Sequence, residues 1–173
     1  GAGDAFMGAI PFLLKGKSRM PVAIMAMGIV FNLLNGMMQA GGLFYFAPEG
    51  LYADGWAYLL KPHALLGIIL FFAGMFVNLH SDYVIRHLRR PGDTKHYLPG
   101  KGRYRYVTSA NYFGELVEWT GFAILTASPA AWVFVWWTFA NLVPRADAIH
   151  RRYREEFGDE AVGKRKRIIP FLY

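Results

Sequence analysis

The sequence predicts an all-α fold, in the form of a polytopic helix bundle integral to a membrane. Only 18% of its 173 residues are charged and its mean hydropathy is +0.22, whereas soluble domains usually carry about 25% charged residues. The apolar residues fall in charge-free runs at or beyond the ~20 residues that cross a ~30 Å hydrocarbon core: Met20–Pro48, Pro62–Ser81 and Trp119–Pro144. We therefore expect residues 1–173 to form a single membrane domain with about four spanning or hairpin helices.

The first two helices have recognisable boundaries in the sequence. Pro21 suits the first turn of a helix that runs to about Gly41. The segment Phe44–Lys61 then has the proline, glycine and aromatic composition of a loop at the outer interface. A second helix is expected to start near His63 and to continue past the membrane to Arg90, where a Pro-Gly pair stops it.

The third apolar run is interrupted in a way that predicts a tight helical hairpin. Residues 111–126 and 130–143 each suit a short helix, and Ser128-Pro129 separates them. The second arm is expected to continue through Pro144 to about Phe157, kinked or restarted at the proline.

The basic residues are distributed as in a multi-pass membrane protein. If the chain crosses at these runs, all of the 19 Lys and Arg residues except Lys61 fall on one side, which the positive-inside rule assigns to the cytoplasm. The basic loops and the C-terminus are therefore expected to be cytoplasmic. The net charge of +7 then reflects topology rather than nucleic-acid binding. Alternatively, these residues only orient the helices or bind anionic membrane lipid.

The residue inventory limits the chemistry that this chain performs unaided. The absence of cysteine excludes disulfides, Cys-ligated zinc and iron–sulfur clusters, so any redox chemistry needs a bound cofactor. The five histidines show no metal-ligand spacing such as HExxH, so we expect no metal site. Nucleotide motifs of soluble folds are also missing. A nucleotide would therefore be held by helices and by the basic, glycine-containing loop Arg89–Tyr106.

Polar residues within the apolar runs are the first candidates for function, because an unpaired polar group costs several kcal/mol in hydrocarbon. Asn32, Asn35 and Gln39 are spaced by three and four residues, which places them on one stripe of the first helix. The alternative explanation is hydrogen bonding between helices, which such residues commonly provide in membrane bundles.

A second polar set lies at the end of the second helix. Asn78, Asp82 and Arg86 are four residues apart, and Arg89 follows three residues later on the same face. The guanidinium fork matches phosphate oxygens, and the amide and carboxylate suit ribose hydroxyls, so this face favours a nucleotide over a bare anion. The alternative is a self-satisfied Asp–Arg pair at the helix end.

A third polar set opens the hairpin. Asn111, Glu115 and Glu118 are spaced by four and three residues beside the basic loop. Asn111 would also serve as a helix N-cap, and glutamate near a helix N-terminus is electrostatically favourable. Two carboxylates at this membrane boundary nevertheless exceed what capping requires, which favours a ligand site.

Long segments of the sequence closely resemble the steroid 5α-reductases. The segments are NLHSDYVIRHLRRPG at 78–92, ANYFGELVEW at 110–119 and RKRIIPFLY at 165–173. Shorter matches occur at residues 33–36 and 52–56, and the resemblance extends from about Phe12 to the end of the chain. It implies a seven-helix membrane fold and an NADPH-dependent reduction of the Δ4 double bond of 3-oxo steroids. Hydride would pass to C5 and a proton would be added at C4.

The resemblance and the helical spacing together predict a cofactor site. The residues predicted to bind NADPH are Asn78, Asp82, Arg86, Arg89, His96, Tyr97, Asn111, Glu115, Arg145 and Tyr153. Arg89 and Arg145 are expected near phosphates, and Asp82 with Asn78 at a ribose or the pyrophosphate. Glu115 is expected toward the nicotinamide end.

The sequence also departs from the pattern of the family it resembles. His96 stands where the family usually has a cofactor-contacting tyrosine, with Tyr97 beside it. The first helices of the family, which carry the Glu and Tyr that hold the steroid 3-oxo group, are absent from this sequence. Catalytic residues are therefore not assigned, and the predicted substrate pocket contains Asn35, Gln39 and Glu118.

The expected partners are a steroid or related Δ4-3-oxo lipid and membrane lipid, with no nucleic acid and a monomeric state. An alternative is a membrane methyltransferase similar to the isoprenylcysteine carboxyl methyltransferases, using S-adenosylmethionine. A third hypothesis is a non-enzymatic subunit that binds lipid or assists assembly, which predicts no stabilisation by any nucleotide.

Overall fold

The computed structural model describes residues 22–88, 93 and 95–173. This part of the chain is all-helical and contains no β-strand, as the sequence predicts. Its α-helices are α1 (Val22–Phe44), α2 (Pro62–Arg86), α3 (Ala110–Thr126), α4 (Pro129–Phe157) and α5 (Asp159–Val162). Two 3-10 turns, Gly55–Leu60 and Gly102–Arg105, lie in the connections.

Two helices are long and apolar enough to span a membrane. α1 has 23 residues and a mean hydropathy of 1.5, and α2 has 25 residues and a mean hydropathy of 1.9. At 1.5 Å per residue both exceed a hydrocarbon core of ~30 Å. Length and composition thus support the membrane prediction for these two helices.

The chain divides into two compact units between Ala47 and Pro48. The described part of the first unit is α1 with the turn that follows it, and α1 has no buried residue. The Phe46 amide ends this helix by donating to the carbonyl of Gly41 over 2.9 Å. The second unit contains α2 to α5, and the single-domain organisation stays a prediction.

Glycines set the packing of α2 against α3 in the second unit. Gly67 and Gly74 on α2 face Gly121 and Gly114 on α3, and the two glycines of each helix are seven positions apart. A Cβ at Gly74 would lie 2.3 Å from the backbone nitrogen of Glu118. The two backbones therefore touch directly, an arrangement that membrane helices achieve with small residues. The antiparallel contact brings the C-terminal end of α2 beside the N-terminal end of α3.

The end of α2 differs from the prediction. The helix stops at Arg86 rather than Arg90, and the segment 89–92 with Arg89 lies outside the described residues. The reason is local, because both the backbone amide and the Nδ1 of His87 lie within hydrogen-bond distance of the Tyr83 carbonyl, at 3.1 and 2.8 Å. A side chain that occupies a last-turn carbonyl competes with continuation of the helix.

The predicted hairpin is present. α3 and α4 are joined by two residues, of which Ala127 adopts a left-handed conformation with φ of 49°. Pro129 opens α4 at a position where a missing N–H has no consequence.

α4 continues through Pro144 to Phe157, which confirms the predicted extent of the second arm, and the helix does not restart at the proline. Proline removes one hydrogen bond from the helix interior. The cost is offset by a buried stripe that continues on both sides of the proline: Ala131, Phe134, Thr138, Leu142, Ala146 and His150. Leu142 and Ala146 pack there with Leu116 and Ile168 in one apolar cluster.

The loop before α2 holds the far end of α3. The hydroxyl of Tyr58 donates to the Leu125 carbonyl over 2.7 Å, and that of Tyr52 donates to the Thr126 carbonyl. Carbonyls in the last turn of a helix have no partner within the helix. The two tyrosines therefore act as a C-terminal cap supplied by a separate segment.

The C-terminal segment pairs with the residues just before α3. The Thr108 amide donates to the Lys166 carbonyl over 2.9 Å, and the Ser109 amide to the Arg167 carbonyl over 3.0 Å. Arg167 also forms an ion pair with Asp147 of α4. These contacts join the basic loop, the start of α3 and the second half of α4 at one end of the bundle.

Candidate functional site

Two residues predicted for different roles contact each other between α2 and α3. The side chain of Asn78, predicted to bind cofactor, hydrogen bonds the carboxylate of Glu118, predicted for the substrate pocket. The close approach of the backbones causes this, because a Cβ at Gly114 would lie 2.5 Å from the Asn78 nitrogen. The amide and the carboxylate therefore form one polar element at the helix interface.

Tyr104 lies at the centre of the polar end of the bundle. Its side chain is 1% exposed, and its hydroxyl makes no hydrogen bond of normal geometry with any described residue. The Asp82 carboxylate and the Tyr153 hydroxyl are close enough to interact with it electrostatically, and the backbone of Asn111 is near enough for a weak, poorly aligned hydrogen bond. Burial, followed by the charge of Asp82, raises the pKa of Tyr104 above its usual range.

Three predicted cofactor residues thus converge on one buried hydroxyl. Asp82 comes from α2, Asn111 from the first turn of α3 and Tyr153 from the second half of α4. Burial also raises the pKa of the Tyr153 phenol, against the opposing effect of Arg152. Glu115 lies one turn beyond Asn111 and is partly exposed. The polar faces of three helices therefore meet at the end of the bundle that carries the basic loop.

Two of the predicted phosphate-binding arginines are exposed side chains on α2 and α4. Arg86, in the last turn of α2, and Arg145, on α4, are exposed and make no ion pair with any residue described. Arg86 and Arg145 can therefore bind an external anion.

His96 and Tyr97 have local partners. His96 Nδ1 lies 2.7 Å from Glu156 Oε1, which ties the loop to α4. The hydroxyl of Tyr97 donates to Asp93 over 2.5 Å. Both side chains are exposed, and their cofactor roles stay predictions.

Asn35 and Gln39 lie on α1, in the first unit. Gln39 Nε2 donates to Asn35 Oδ1 over 3.3 Å, and Asn32 Nδ2 donates to the Gly28 carbonyl over 2.8 Å. Part of the polar stripe of α1 is thus satisfied along the helix itself. The place of Asn35 and Gln39 in a substrate pocket stays a prediction.

Comparison with known proteins identifies the family. The family model described as 3-oxo-5-alpha-steroid 4-dehydrogenase matches residues 18–173. The chain belongs to this family. The steroid dehydrogenase match includes every predicted site residue, from Asn35 to Tyr153.

Individual relatives in the steroid dehydrogenase family agree with the family model. The chain is 42% identical over 163 residues to 3-oxo-5-alpha-steroid 4-dehydrogenase 1 of Macaca fascicularis, covering 94% of this chain and 60% of the relative. It is 42% identical to the Homo sapiens protein of the same name, covering 94% and 61%. It is 36% identical to the steroid 5-alpha-reductase DET2 of Arabidopsis thaliana, covering 91% and 59%. The chain thus spans about 60% of the length of these curated relatives.

Sequence reasoning did not predict two buried residues at the polar end of the bundle, Tyr104 and His150. Tyr104 stands between Arg103 and Arg105, a pattern typical of an exposed basic loop. The alternation of arginine and tyrosine over residues 103–106 is the one signal in the sequence that favours burial of one side of this segment. His150 is not among the predicted site residues. It is 6% exposed and hydrogen bonds Thr108 Oγ1 over 3.2 Å. Burial, then the charge of Arg167, lowers the pKa of His150.

Proposed function

We propose that this chain forms the cofactor-binding portion of a membrane oxidoreductase that reduces the Δ4 double bond of 3-oxo steroids with NADPH. Family membership supports the reaction class. The single observation that carries the site is that Asp82, Tyr153 and the backbone of Asn111, from three different helices, all lie near enough to the buried hydroxyl of Tyr104 to act on it electrostatically. Three helices that contribute polar groups to one point form a ligand site rather than three separate helix ends.

The donor set at this point fits a phosphorylated dinucleotide. The buried Tyr104 hydroxyl lacks a hydrogen bond of normal geometry within the described chain, and a bound ligand would supply its partner. Asp82 and Asn78 would accept and donate hydrogen bonds at ribose hydroxyls. Arg145, Arg86 and Arg89 would bind phosphate oxygens, since guanidinium groups match phosphate geometry. When bound, NADPH supplies the hydride that is added at C5 of the steroid.

The residues of the chain then have positioning roles. Glu115, one turn from Asn111, would fix the nicotinamide end of the cofactor. Asn78 holds the Glu118 carboxylate at the α2–α3 interface, where Glu118 would line the substrate pocket. Helices that pack around the reacting groups exclude water and fix their distance, which is the usual contribution of the protein in cofactor chemistry.

We infer a multi-pass topology with α1 and α2 as spanning helices and α3 with the first half of α4 as a membrane hairpin. The basic loops and the C-terminus then lie on the cytoplasmic side, because the positive-inside rule applies to short loops. A steroid or related Δ4-3-oxo lipid would reach the site from the membrane, and the protein would act as a monomer. The family match favours this reductase over the methyltransferase alternative.

The test is ligand-dependent stability of the detergent-solubilised chain. NADPH is expected to raise the unfolding temperature, and S-adenosylmethionine is expected to leave it unchanged, because a ligand stabilises only the fold that binds it. Stabilisation by S-adenosylmethionine alone would reverse the assignment, and no response to either compound would favour the non-enzymatic subunit.

Two carboxylate variants test whether the response to NADPH depends on the candidate site. Asp82→Asn should abolish the response to NADPH, whereas Asp54→Asn, which removes an exposed carboxylate paired with Lys61 far from Tyr104, should keep it. Equal responses in both variants would remove Asp82 from the site.

A further inference from the structure

A polar concavity lies beside the candidate cofactor site, where the C-terminal segment passes the 3-10 turn Gly102–Arg105. It has a volume of about 560 Å³. One wall is formed by Arg105 and Tyr106, and the other by residues 161–166 with Phe171. None of these lining residues is acidic, and four are cationic: Arg105, Lys164, Arg165 and Lys166. We call this concavity the basic groove.

The charges of the basic groove are not neutralised within the described part of the chain. The nearby ion pairs use other arginines, Arg167 with Asp147 and Arg154 with Asp159. Four like charges around one concavity repel each other unless an anion lies between them.

The two walls of the groove are fixed relative to each other. The Lys166 amide donates to the Tyr106 carbonyl over 2.8 Å, which joins the walls through the backbone. Arg165 donates from a terminal guanidinium nitrogen to the Pro99 carbonyl over 2.7 Å, which orients its planar group at the wall. A site whose cations are held in place binds an anion at a lower entropic cost.

An apolar rim adjoins the basic groove. The rings of Tyr106 and Phe171 pack with centroids 5.4 Å apart, yet Phe171 is 79% exposed and Leu172 is 77% exposed. Phe171 also has a φ of 67°, in the left-handed region that bulky residues rarely adopt. Aromatic and aliphatic side chains beside lysine and arginine are typical of the boundary between lipid headgroups and acyl chains.

The basic groove lies at the end of the bundle that faces the cytoplasm in the proposed topology. Thr108 and Ser109, which pair with the C-terminal segment, directly precede α3, and this end of α3 packs beside the end of α2. The inner leaflet is the anionic one, and it attracts basic segments at the membrane boundary.

We propose that the basic groove binds the phosphate headgroup of an anionic phospholipid of the inner leaflet, with Phe171 and Leu172 inserted beside its acyl chains. The proposal rests on the membrane placement of the proposed function but does not require reductase activity. It assigns the cations of the groove to the lipid and leaves Arg86 and Arg145 for the nucleotide. A free phosphate compound would bind the same cations but would not contact the apolar rim.

The test is unfolding of the purified chain in a neutral detergent, followed during titration with dioleoylphosphatidylserine or dioleoylphosphatidylcholine. Phosphatidylserine is expected to raise the unfolding temperature at concentrations where phosphatidylcholine has no effect. The double variant Lys164→Ala/Lys166→Ala should bind phosphatidylserine roughly 30-fold more weakly, from about fivefold for each lysine near an anionic surface. Phe171→Ser should also weaken the lipid response.

The matched control is Lys101→Ala/Arg103→Ala, which removes the same charge from exposed residues that do not line the groove. It should keep the wild-type lipid response. Equal losses in both double variants, or equal responses to the two lipids, would overturn the proposal in favour of general charge attraction. Saturation of the response by inorganic phosphate alone would overturn the lipid as occupant.

The stabilisation by NADPH distinguishes a failure of this proposal from a failure of the proposed function. The groove variant is expected to keep its stabilisation by NADPH while losing that by phosphatidylserine. Loss of both responses would overturn the proposal, because the groove would then hold a phosphate of the nucleotide. A chain that responds to NADPH but never to phosphatidylserine would refute the lipid site alone. If the alanine variant does not fold, Lys164→Gln/Lys166→Gln keeps the side-chain length and tests the same charges.

Discussion

Replacing Gly74 with alanine tests the packing on which the candidate site depends. The added Cβ would lie 2.3 Å from the backbone nitrogen of Glu118 and 2.7 Å from its Cα. Ordinary contact begins at 3.4 Å, so α2 and α3 would have to separate by about 1 Å, because backbone atoms cannot rotate away as side chains do. Such overpacking costs ~1–3 kcal/mol, which exceeds the ~1 kcal/mol that alanine gains over glycine in a helix.

Gly74→Ala is therefore expected to lower the free energy of unfolding by up to about 2 kcal/mol, the overpacking cost less the helix gain of alanine. The measurement is denaturant or thermal unfolding in detergent, followed by the helical circular dichroism signal. Gly36→Ala is the matched control, because Gly36 lies inside α1 and a Cβ there would meet no atom within 4 Å. That control should unfold at or slightly above the wild-type midpoint.

The same variant should also weaken binding of NADPH. Separation of α2 from α3 displaces Asn78 from Glu118 and Asp82 from Tyr104, because each pair is formed across this helix contact or beside it. The stabilisation that NADPH gives should therefore fall in Gly74→Ala and stay unchanged in Gly36→Ala. A Gly74→Ala protein as stable as Gly36→Ala, with an intact NADPH response, would refute packing of the two helices through their glycines.

Other substitutions probe single contacts. Tyr104→Phe should raise stability by ~1 kcal/mol without ligand, since an unsatisfied buried hydroxyl is removed, and should reduce the NADPH response in the same unfolding assay. His150 has a lowered pKa in the folded protein, so unfolding binds a proton and stability should fall as the pH drops below the ordinary histidine pKa of 6.5. His150→Gln should flatten that part of the stability profile measured against pH. Tyr58→Phe should cost ~1 kcal/mol of unfolding free energy through loss of the bond to the Leu125 carbonyl, whereas an unchanged midpoint would remove Tyr58 as a helix cap.

Local sequence patterns predicted the helices well. The apolar runs and their proline and glycine boundaries predicted both ends of α2 to within a few residues, and Ser128-Pro129 predicted the hairpin. Such boundary signals are local, because they depend only on residues close in the sequence. Helical spacing also placed Asn78 and Asp82 on one face, and the structure brings Asp82 together with Asn111 and Tyr153.

Features that depend on two distant segments were not predicted. The seven-residue glycine spacing has meaning only when Gly74 and Gly114 face each other, and one helix alone does not reveal its partner. The burial of Tyr104 and the capping of α3 by Tyr52 likewise arise from chain segments that meet in the fold. The end of α2 was misplaced because the side chain of His87 competes for a carbonyl, which helix propensity does not include.

The pairing of Thr108 with the C-terminal segment also sets the order in which the parts of the site assemble during synthesis. Its partner, Lys166, is 58 residues further along the chain. α2 and α3 can associate as soon as both have entered the membrane, whereas the loop before α3 gains its hydrogen-bonding partner only after these further 58 residues have been synthesised. The surroundings of Tyr104 are therefore completed later than the α2–α3 contact, and a slowly docking segment around Lys166 would delay activity without changing membrane insertion.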